Sequence, residues 1–177
     1  YSLLGISFYY YLTRDPEVLP DILSVKDFIF ENYYNPDLNA LQWMQAPDGS
    51  ATNPLDKRLV AQLDNLNAYM VLITPLLPEP EQSAWKADMV ALANLMIDEF
   101  YSEQDNLFFL TVNDPTQKSL ENAGTDFGHS IKAMWMIYQT GLIADAPDLV
   151  SFAETHGSRI LEQAYLAESG SWANGYE

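Results

Sequence analysis

Residues 59–74 read LVAQLDNLNAYMVLIT and are followed by a proline. On a helix this stretch is apolar nearly all round, so most of its sides need cover from neighbouring elements. Residues 3–13 and 127–140 have the same character, and all three stretches end at a threonine next to a turn. These threonines lie 61 and 66 residues apart, which indicates a unit that recurs three times. They are Thr13, Thr74 and Thr140.

A second helix with one apolar face follows each of these stretches. The three segments, whose apolar residues recur at helical spacing, are 18–34, 83–101 and 147–166. Each leads into a polar turn and a short aromatic segment, which together are typical of a β-hairpin. The repeating unit is therefore an apolar helix, a turn, an amphipathic helix and a hairpin-like loop.

The alternation of all-apolar and one-faced helices predicts an inner ring of helices inside an outer ring. A period near 65 residues is longer than that of the common helical solenoids. We predict an all-α single domain, an (α/α) toroid that makes up about half of an (α/α)6 barrel, with six main helices. Its three units are expected at about 1–56, 57–124 and 125–177, with loops around 35–56, 102–124 and 167–177. The remaining hairpins would come from further chain or from a partner.

The charge balance excludes several classes of partner. The chain of 177 residues has a net charge of −17 and only 8 lysines and arginines, which are scattered along it. Nucleic acids and anionic membranes are bound by clustered cations, so neither is expected as a partner. No apolar run reaches the roughly 18 residues that span a bilayer. We expect a soluble protein, and the sequence does not choose between cytoplasm and periplasm.

The absence of cysteine excludes disulfides, thiolate metal sites and cysteine nucleophiles. The two histidines fall on different helices and give no zinc-binding spacing, so we expect no metal and no cofactor. One of them, His156, is predicted to be a surface histidine of an outer helix. Carboxylates of the second outer helix and its loop are expected to form a solvated face: Asp88, Asp98, Glu99, Glu103 and Asp105.

Residues 125–135, TDFGHSIKAMW, open the third inner helix. Asp126 is a candidate N-cap, and His129, Lys132 and Trp135 follow at intervals of three, which puts them on one helix face. On a helix that otherwise packs, this set favours a functional surface. The alternative is a core histidine beside a lysine that extends to solvent.

This string resembles the Tyr-Gly-His-Asp-Ile-Glu-Ala-x-Trp motif of the N-acylglucosamine 2-epimerase superfamily, which includes the cellobiose 2-epimerases. The resemblance implies a sugar isomerase in which His129 transfers the C2 proton of an open-chain sugar. The glutamate of the motif is replaced by Lys132, which reverses the charge there. The matching positions are Phe127, Gly128, His129, Ile131, Ala133 and Trp135.

A second motif of that family, Lys-x-x-Asn-x-His-x-His-x-x-Glu-Ala-Tyr, aligns with residues 57–69. Its lysine, alanine and tyrosine are kept here as Lys57, Ala68 and Tyr69. Its other positions stay mostly polar, which favours a rebuilt binding surface; the alternative is that these polar residues only cap an unfilled half-barrel. They are Val60, Gln62, Asp64 and Asn67. The second catalytic histidine of the family belongs to a later hairpin. We expect Lys57, Gln62, Asp64 and Asn67 to contact the sugar, together with Asp126, Lys132 and Trp135.

Aromatic residues occupy equivalent loops of the three units, at Trp43, Phe109 and Trp172. Aromatic faces bind sugars, and they also pack loops onto a barrel. Trp43 and Trp172 are the better candidates for sugar binding.

Three functions remain open. The leading one is a sugar 2-epimerase or isomerase, since a histidine base suits proton transfer next to a carbonyl. A glycoside hydrolase on the same toroid needs two carboxylates, for which Asp64 and Asp126 are the candidates. A non-catalytic carbohydrate-binding or regulatory domain is the third, because fold does not fix function.

Overall fold

The structure is a computed structural model that describes residues 2–44, 57–114, 116 and 118–176. Residues 45–56, which complete the first predicted loop, lie outside the described residues. The helices are α1 Ser2–Thr13, α2 Leu19–Tyr33, α3 Leu59–Asn65, α4 Val71–Ile73, α5 Glu81–Phe100, α6 Leu120–Ala123, α7 Phe127–Ile143 and α8 Pro147–Ala164. The strands are β1 Tyr34–Asn35, β2 Ala40–Leu41, β3 Lys57–Arg58, β4 Tyr101–Ser102, β5 Leu107–Phe108, β6 Thr111–Val112, β7 Tyr165–Leu166 and β8 Ser171–Trp172.

The main helices form three hairpins, and the predicted all-α toroid is confirmed. The inner helices are α1, the run from α3 to α4, and α7; each packs against the next, and α5 packs across the second and third. A π-helical segment, Leu66–Met70, joins α3 to α4. The core lies between the two rings and includes Leu63, Met70, Met96 and Phe100, all fully buried.

The aromatic loops are the predicted β-hairpins, and they repeat in detail. Each begins with a tyrosine directly after an outer helix, and the pairs Tyr34–Leu41, Tyr101–Phe108 and Tyr165–Trp172 lie opposite each other. The residue five positions after each tyrosine has a positive φ, of 49°, 56° and 63°. Asparagine and glycine tolerate this left-handed conformation better than other residues. The three residues are Asn39, Asn106 and Gly170.

The third inner helix ends later than the sequence indicates. Thr140 was expected to end it at a turn, but α7 continues through Gly141 to Ile143, and Asp145, with φ 56°, follows its end. Gly141 serves a different purpose: it lets α8 approach closely. A Cβ on Gly141 would lie 2.7 Å from Val150 Cγ2 and 2.9 Å from Val150 N.

We expect Gly141→Ala to lower the free energy of unfolding by about 1–3 kcal/mol, because the added methyl overpacks the contact between α7 and α8. Gly157→Ala is the matched control. Its Cβ would meet Met134 at an ordinary 3.7 Å, and alanine is the better helix former by about 1 kcal/mol. Urea denaturation of the two variants tests the pair, and equal effects would contradict this account of Gly141.

Two features of the loops were not predicted. β3 pairs antiparallel with β6, with Lys57 opposite Val112, which ties the start of the second inner helix to the loop that precedes the third. The short helix α6 lies within the predicted loop 102–124. Across the residues that the structure describes, no helix combines the length and the apolarity needed to cross a membrane.

Candidate functional site

The first turn of α7 holds the histidine in contact with the N-cap carboxylate. Asp126 Oδ1 accepts a hydrogen bond from the backbone N–H of His129 at 2.6 Å, and Oδ2 lies 2.7 Å from His129 Nδ1. The side chain of Asp126 is 19% exposed and that of His129 is 41% exposed. The N-cap prediction for Asp126 agrees with this geometry, and the imidazole keeps a solvent-facing part.

The backbone around this turn is anchored on two sides. Thr125 Oγ1 donates to Phe108 O at 2.7 Å, and Ser130 Oγ accepts from Phe108 N at 3.0 Å, so β5 holds both flanks. Phe127 N donates to Asn174 O at 3.0 Å, in the segment after β8. The position of His129 is therefore set by contacts with two hairpins.

The same face of α7 contacts the second inner helix through an ion pair. Lys132 Nζ lies 2.8 Å from Asp64 Oδ1 of α3, and the two side chains are 27% and 16% exposed. His129 lies one turn before Lys132 and so shares its face. The structure thus brings His129, Lys132 and Asp64, from two inner helices, to one region.

A cavity of about 360 Å³ opens between α1, α2, β2 and α3, and Asp64 forms part of its wall. Its wall includes Trp43 and Tyr33, with Asp64 and Asn65 as polar groups. Trp43 is 46% exposed, so part of its ring is open to a ligand. Of the predicted sugar-binding aromatics, Trp43 is the one that shares a cavity with Asp64.

The other two tryptophans predicted to bind sugar, Trp135 and Trp172, do not line this cavity. Trp172 packs on Tyr165, with ring centroids 5.5 Å apart, and lines a separate cavity of about 200 Å³ beside Gly128. Trp135 is 55% exposed and lies one turn after Lys132. Trp135 therefore extends the face of His129 and Lys132, whereas Trp172 shares its cavity with Phe127 and Gly128 at the start of α7.

Gln62 belongs to the scaffold. It is fully buried, and its amide group exchanges hydrogen bonds with the backbone of Leu41, at 3.1 Å to N and 2.7 Å to O. It also donates to Arg58 O at 3.3 Å. This placement corrects the expectation that Gln62 contacts the sugar: a buried amide that bonds the β2 backbone is not presented to a ligand.

Lys57 also bonds within the protein: its partner is Glu99 and not a residue beside Lys132. Its Nζ lies 3.0 Å from Glu99 Oε2, and Lys118 reaches the same oxygen at 3.5 Å. The Lys57 side chain is 11% exposed. Asn67 is half-buried in the π-helical segment. Glu99, expected on a solvated face, is instead the centre of this ion-pair cluster, which joins α5 to β3 and to the loop before α6.

The Glu99 cluster predicts a pH-dependent contribution to stability. Burial alone would raise the pKa of Glu99, but the hydrogen bonds and charges of Lys57 and Lys118 outweigh it and hold the pKa below its usual value. The folded state thus favours the ionised form. The contribution is present above the ordinary pKa of a glutamate and is lost as the pH falls through the lowered folded value.

We expect Glu99→Gln to cost about 1 kcal/mol of unfolding free energy near neutral pH and almost nothing once the carboxyl is protonated. Urea denaturation at about pH 7 and about pH 3 tests this difference. Glu103→Gln, at an exposed position in the hairpin that follows α5, is the control and should show neither effect. A Glu99→Gln penalty that persists unchanged in acid would contradict the assignment.

His156 is not the surface histidine that the sequence suggested. It is half-buried, and its Nδ1 lies 2.8 Å from the Tyr101 hydroxyl and 3.2 Å from Asn106 Oδ1. Its ring packs on Phe152, with centroids 4.8 Å apart. It ties α8 to the second hairpin and lies on an outer helix, apart from the region of His129. Within the described ranges, no three histidine or acidic side chains come together as a metal site.

The fold matches that of solved sugar-processing proteins. Against a cellobiose 2-epimerase from Bacillus thermoamylovorans the TM-score is 0.74 with 18% identity, covering 97% of this chain and 45% of that one. A sugar epimerase from a ruminal bacterium gives 0.71 and 18%, with 99% and 46% covered. A family 76 glycoside hydrolase, a mannosidase from Bacteroides thetaiotaomicron, gives 0.70 and 13%, with 97% and 46% covered.

No family model matches the sequence, and no curated protein matches it. The chain spans a little under half the length of these three solved structures. At such identities the likeness establishes the fold, and the resemblance to the 2-epimerase superfamily is confirmed at that level. The chain therefore has the fold of about half of an (α/α)6 barrel, which sugar epimerases share with family 76 glycoside hydrolases.

Proposed function

We propose that this chain is part of a carbohydrate-active protein that acts as a sugar 2-epimerase or isomerase. The observation that carries the proposal is the His129 face of α7. An inner helix that otherwise packs carries an imidazole and an ammonium one turn apart, and the ammonium meets Asp64 of the next inner helix. Solved structures with this fold include sugar epimerases, which supports a sugar as the ligand.

In the proposed reaction His129 removes the proton from C2 of an open-chain sugar, next to the C1 carbonyl. The electron pair moves onto the carbonyl oxygen to give an enediolate, and a proton returned to C2 on the opposite face gives the epimer. Lys132 can donate a hydrogen bond to the developing negative oxygen. Epimerisation needs a second acid/base on the opposite face, which we assign to the part of the barrel beyond this chain.

The rest of the barrel would also cover apolar surface that the structure leaves exposed. One face of α1 is apolar and open to solvent, and an exposed patch of this kind marks an interaction surface. Further hairpins of the same protein, or of a partner, would close the ring there. The exposed side chains are Leu4, Phe8, Tyr11 and Leu12.

The carboxylates favour the isomerase over the hydrolase. Asp126 accepts from the His129 amide and contacts its ring, and Asp64 is paired with Lys132. A hydrolase needs one of its two carboxyl groups protonated as a general acid. Here both carboxylates are engaged by partners within the chain, so neither is presented as a free acid to a glycosidic oxygen.

The test is exchange of the C2 proton. The full-length protein is incubated in deuterated water with aldohexoses, an N-acetylhexosamine and cellobiose, and the C2–H signal is followed by proton NMR. Loss of that signal, with appearance of the C2 epimer or the ketose, is expected for at least one sugar. Hydrolysis of a glycoside without exchange would replace the proposal with the hydrolase. Sugar binding without exchange, lost in Trp43→Ala, would replace it with the binding domain.

A further inference from the structure

The two carboxylate oxygens of Asp126 contact two different groups of His129. Oδ1 caps the helix by accepting from the His129 backbone N–H, and Oδ2 contacts ring Nδ1. An ionised carboxylate can only accept hydrogen bonds, so the ring nitrogen beside it must be the one that carries hydrogen. In the neutral imidazole the other nitrogen, Nε2, is then left with its lone pair.

We propose that Asp126 is a positioning residue that fixes His129 in the Nδ1–H tautomer and so leaves Nε2 as the base. Asp126 was expected among the sugar-binding residues, but its contacts assign it to the histidine instead. The catalytic part of this inference rests on the proposed function, whereas the tautomer itself does not.

The surroundings of Asp126 support a fixed geometry. Its backbone forms an antiparallel bridge with Gly175, and its neighbour Thr125 is bonded to β5. Asp126 has extended dihedral angles, φ −150° and ψ 158°, as an N-cap residue should. The backbone that carries the carboxylate is therefore held by the fold, independently of the imidazole.

The sharpest variant is Asp126→Asn. Asparagine is as good an N-cap as aspartate, and its single carbonyl oxygen is used by the His129 N–H. The amide NH₂ then faces Nδ1 and can only donate, which requires Nδ1 to accept and moves the hydrogen to Nε2. Asp126→Ser is the companion: it keeps the cap, but its shorter side chain cannot reach Nδ1.

The experiment uses the full-length protein labelled with ¹⁵N-histidine, and His129→Asn identifies the signals of residue 129. The ring nitrogen shifts are followed through a pH titration until the imidazole is neutral. We expect Nδ1–H in the wild type, Nε2–H in Asp126→Asn and a mixture in Asp126→Ser. Urea midpoints close to wild type in both variants show that the cap is intact.

The C2 exchange assay tests whether the tautomer of His129 controls the rate of proton transfer. Asp126→Asn should slow C2 exchange by about 10²–10³-fold and Asp126→Ser by less, since the latter retains a fraction of the competent tautomer. An unchanged tautomer in Asp126→Asn would overturn the inference. A tautomer that switches while the wild type exchanges no sugar would sustain the positioning role and refute the proposed function.

Discussion

The full-length protein carrying His129→Asn is expected to exchange the C2 proton of its sugar about 10²–10⁴-fold more slowly than the wild type. Asparagine preserves a polar side chain of similar reach at the first turn of α7, but it has no nitrogen that accepts a proton at neutral pH. The measurement is the rate of deuterium incorporation at saturating sugar, followed by proton NMR. Sugar affinity should change much less than the rate.

His156→Asn is the matched control, because it makes the same chemical change at the other histidine of the chain. It removes the contacts with Tyr101 and Phe152, so it should lower the urea midpoint and leave the exchange rate of the folded protein unchanged. A His129→Asn protein that exchanges at the wild-type rate would remove the histidine from the mechanism.

Lys132→Glu is expected to lower the free energy of unfolding by about 2–4 kcal/mol, because it places two carboxylates where a partly buried ion pair stood. Lys132 Nζ and Asp64 Oδ1 are 2.8 Å apart, and both side chains are less than a third exposed. Adding Asp64→Lys restores opposite charges with the polarity inverted. The double variant should recover at least half of the lost stability.

Urea denaturation of the wild type, the two single variants and the double variant gives the coupling energy, expected at about 1–3 kcal/mol. Lys86→Glu, a charge reversal on the half-buried part of α5, controls for the change in net charge. Additive single effects, with no coupling, would mean that the pair makes no contribution to joining the two inner helices.

This pair also changes how the two motifs are interpreted. In the resembled family the positions of Asp64 and Lys132 carry a histidine and a glutamate, and here an acid and a base stand in the reverse order. Viewed separately, each replacement looks like the loss of a functional residue. Because the two side chains meet across α3 and α7, in this chain the two replacements form one ion pair between the inner helices.

The fold could be predicted because its signals are local and repeated. The apolar stretches, the turn that follows each one and the tyrosine that opens each hairpin all recur at nearly the same interval. The later end of the third inner helix has a physical cause at Gly141. Glycine can end a helix or admit a close neighbour, and only the position of Val150 distinguishes the two.

The site could be predicted only in part, because a polar residue on an inner helix can either meet a residue of the next inner helix or bond to the surrounding scaffold. Asp64 and Lys132 meet between inner helices, whereas Gln62 and Lys57 bond a loop backbone and a distant glutamate. Partners so far apart in the chain leave no mark on local sequence. The contact of Asp126 with the histidine did leave one: an N-cap aspartate three residues before a histidine places the two side chains together.

The π-helical segment Leu66–Met70 has a geometric consequence for Asp64. In it Val71 N–H bonds to Leu66 O, five residues back, so this turn holds one residue more than an α-helical turn. Each residue rotates an α-helix by about 100°. Deleting one residue from the segment would therefore turn Asp64 away from Lys132 while Ile73 kept its place in the core. The wide turn therefore sets the direction of Asp64 relative to the core residues that follow it in the same inner helix.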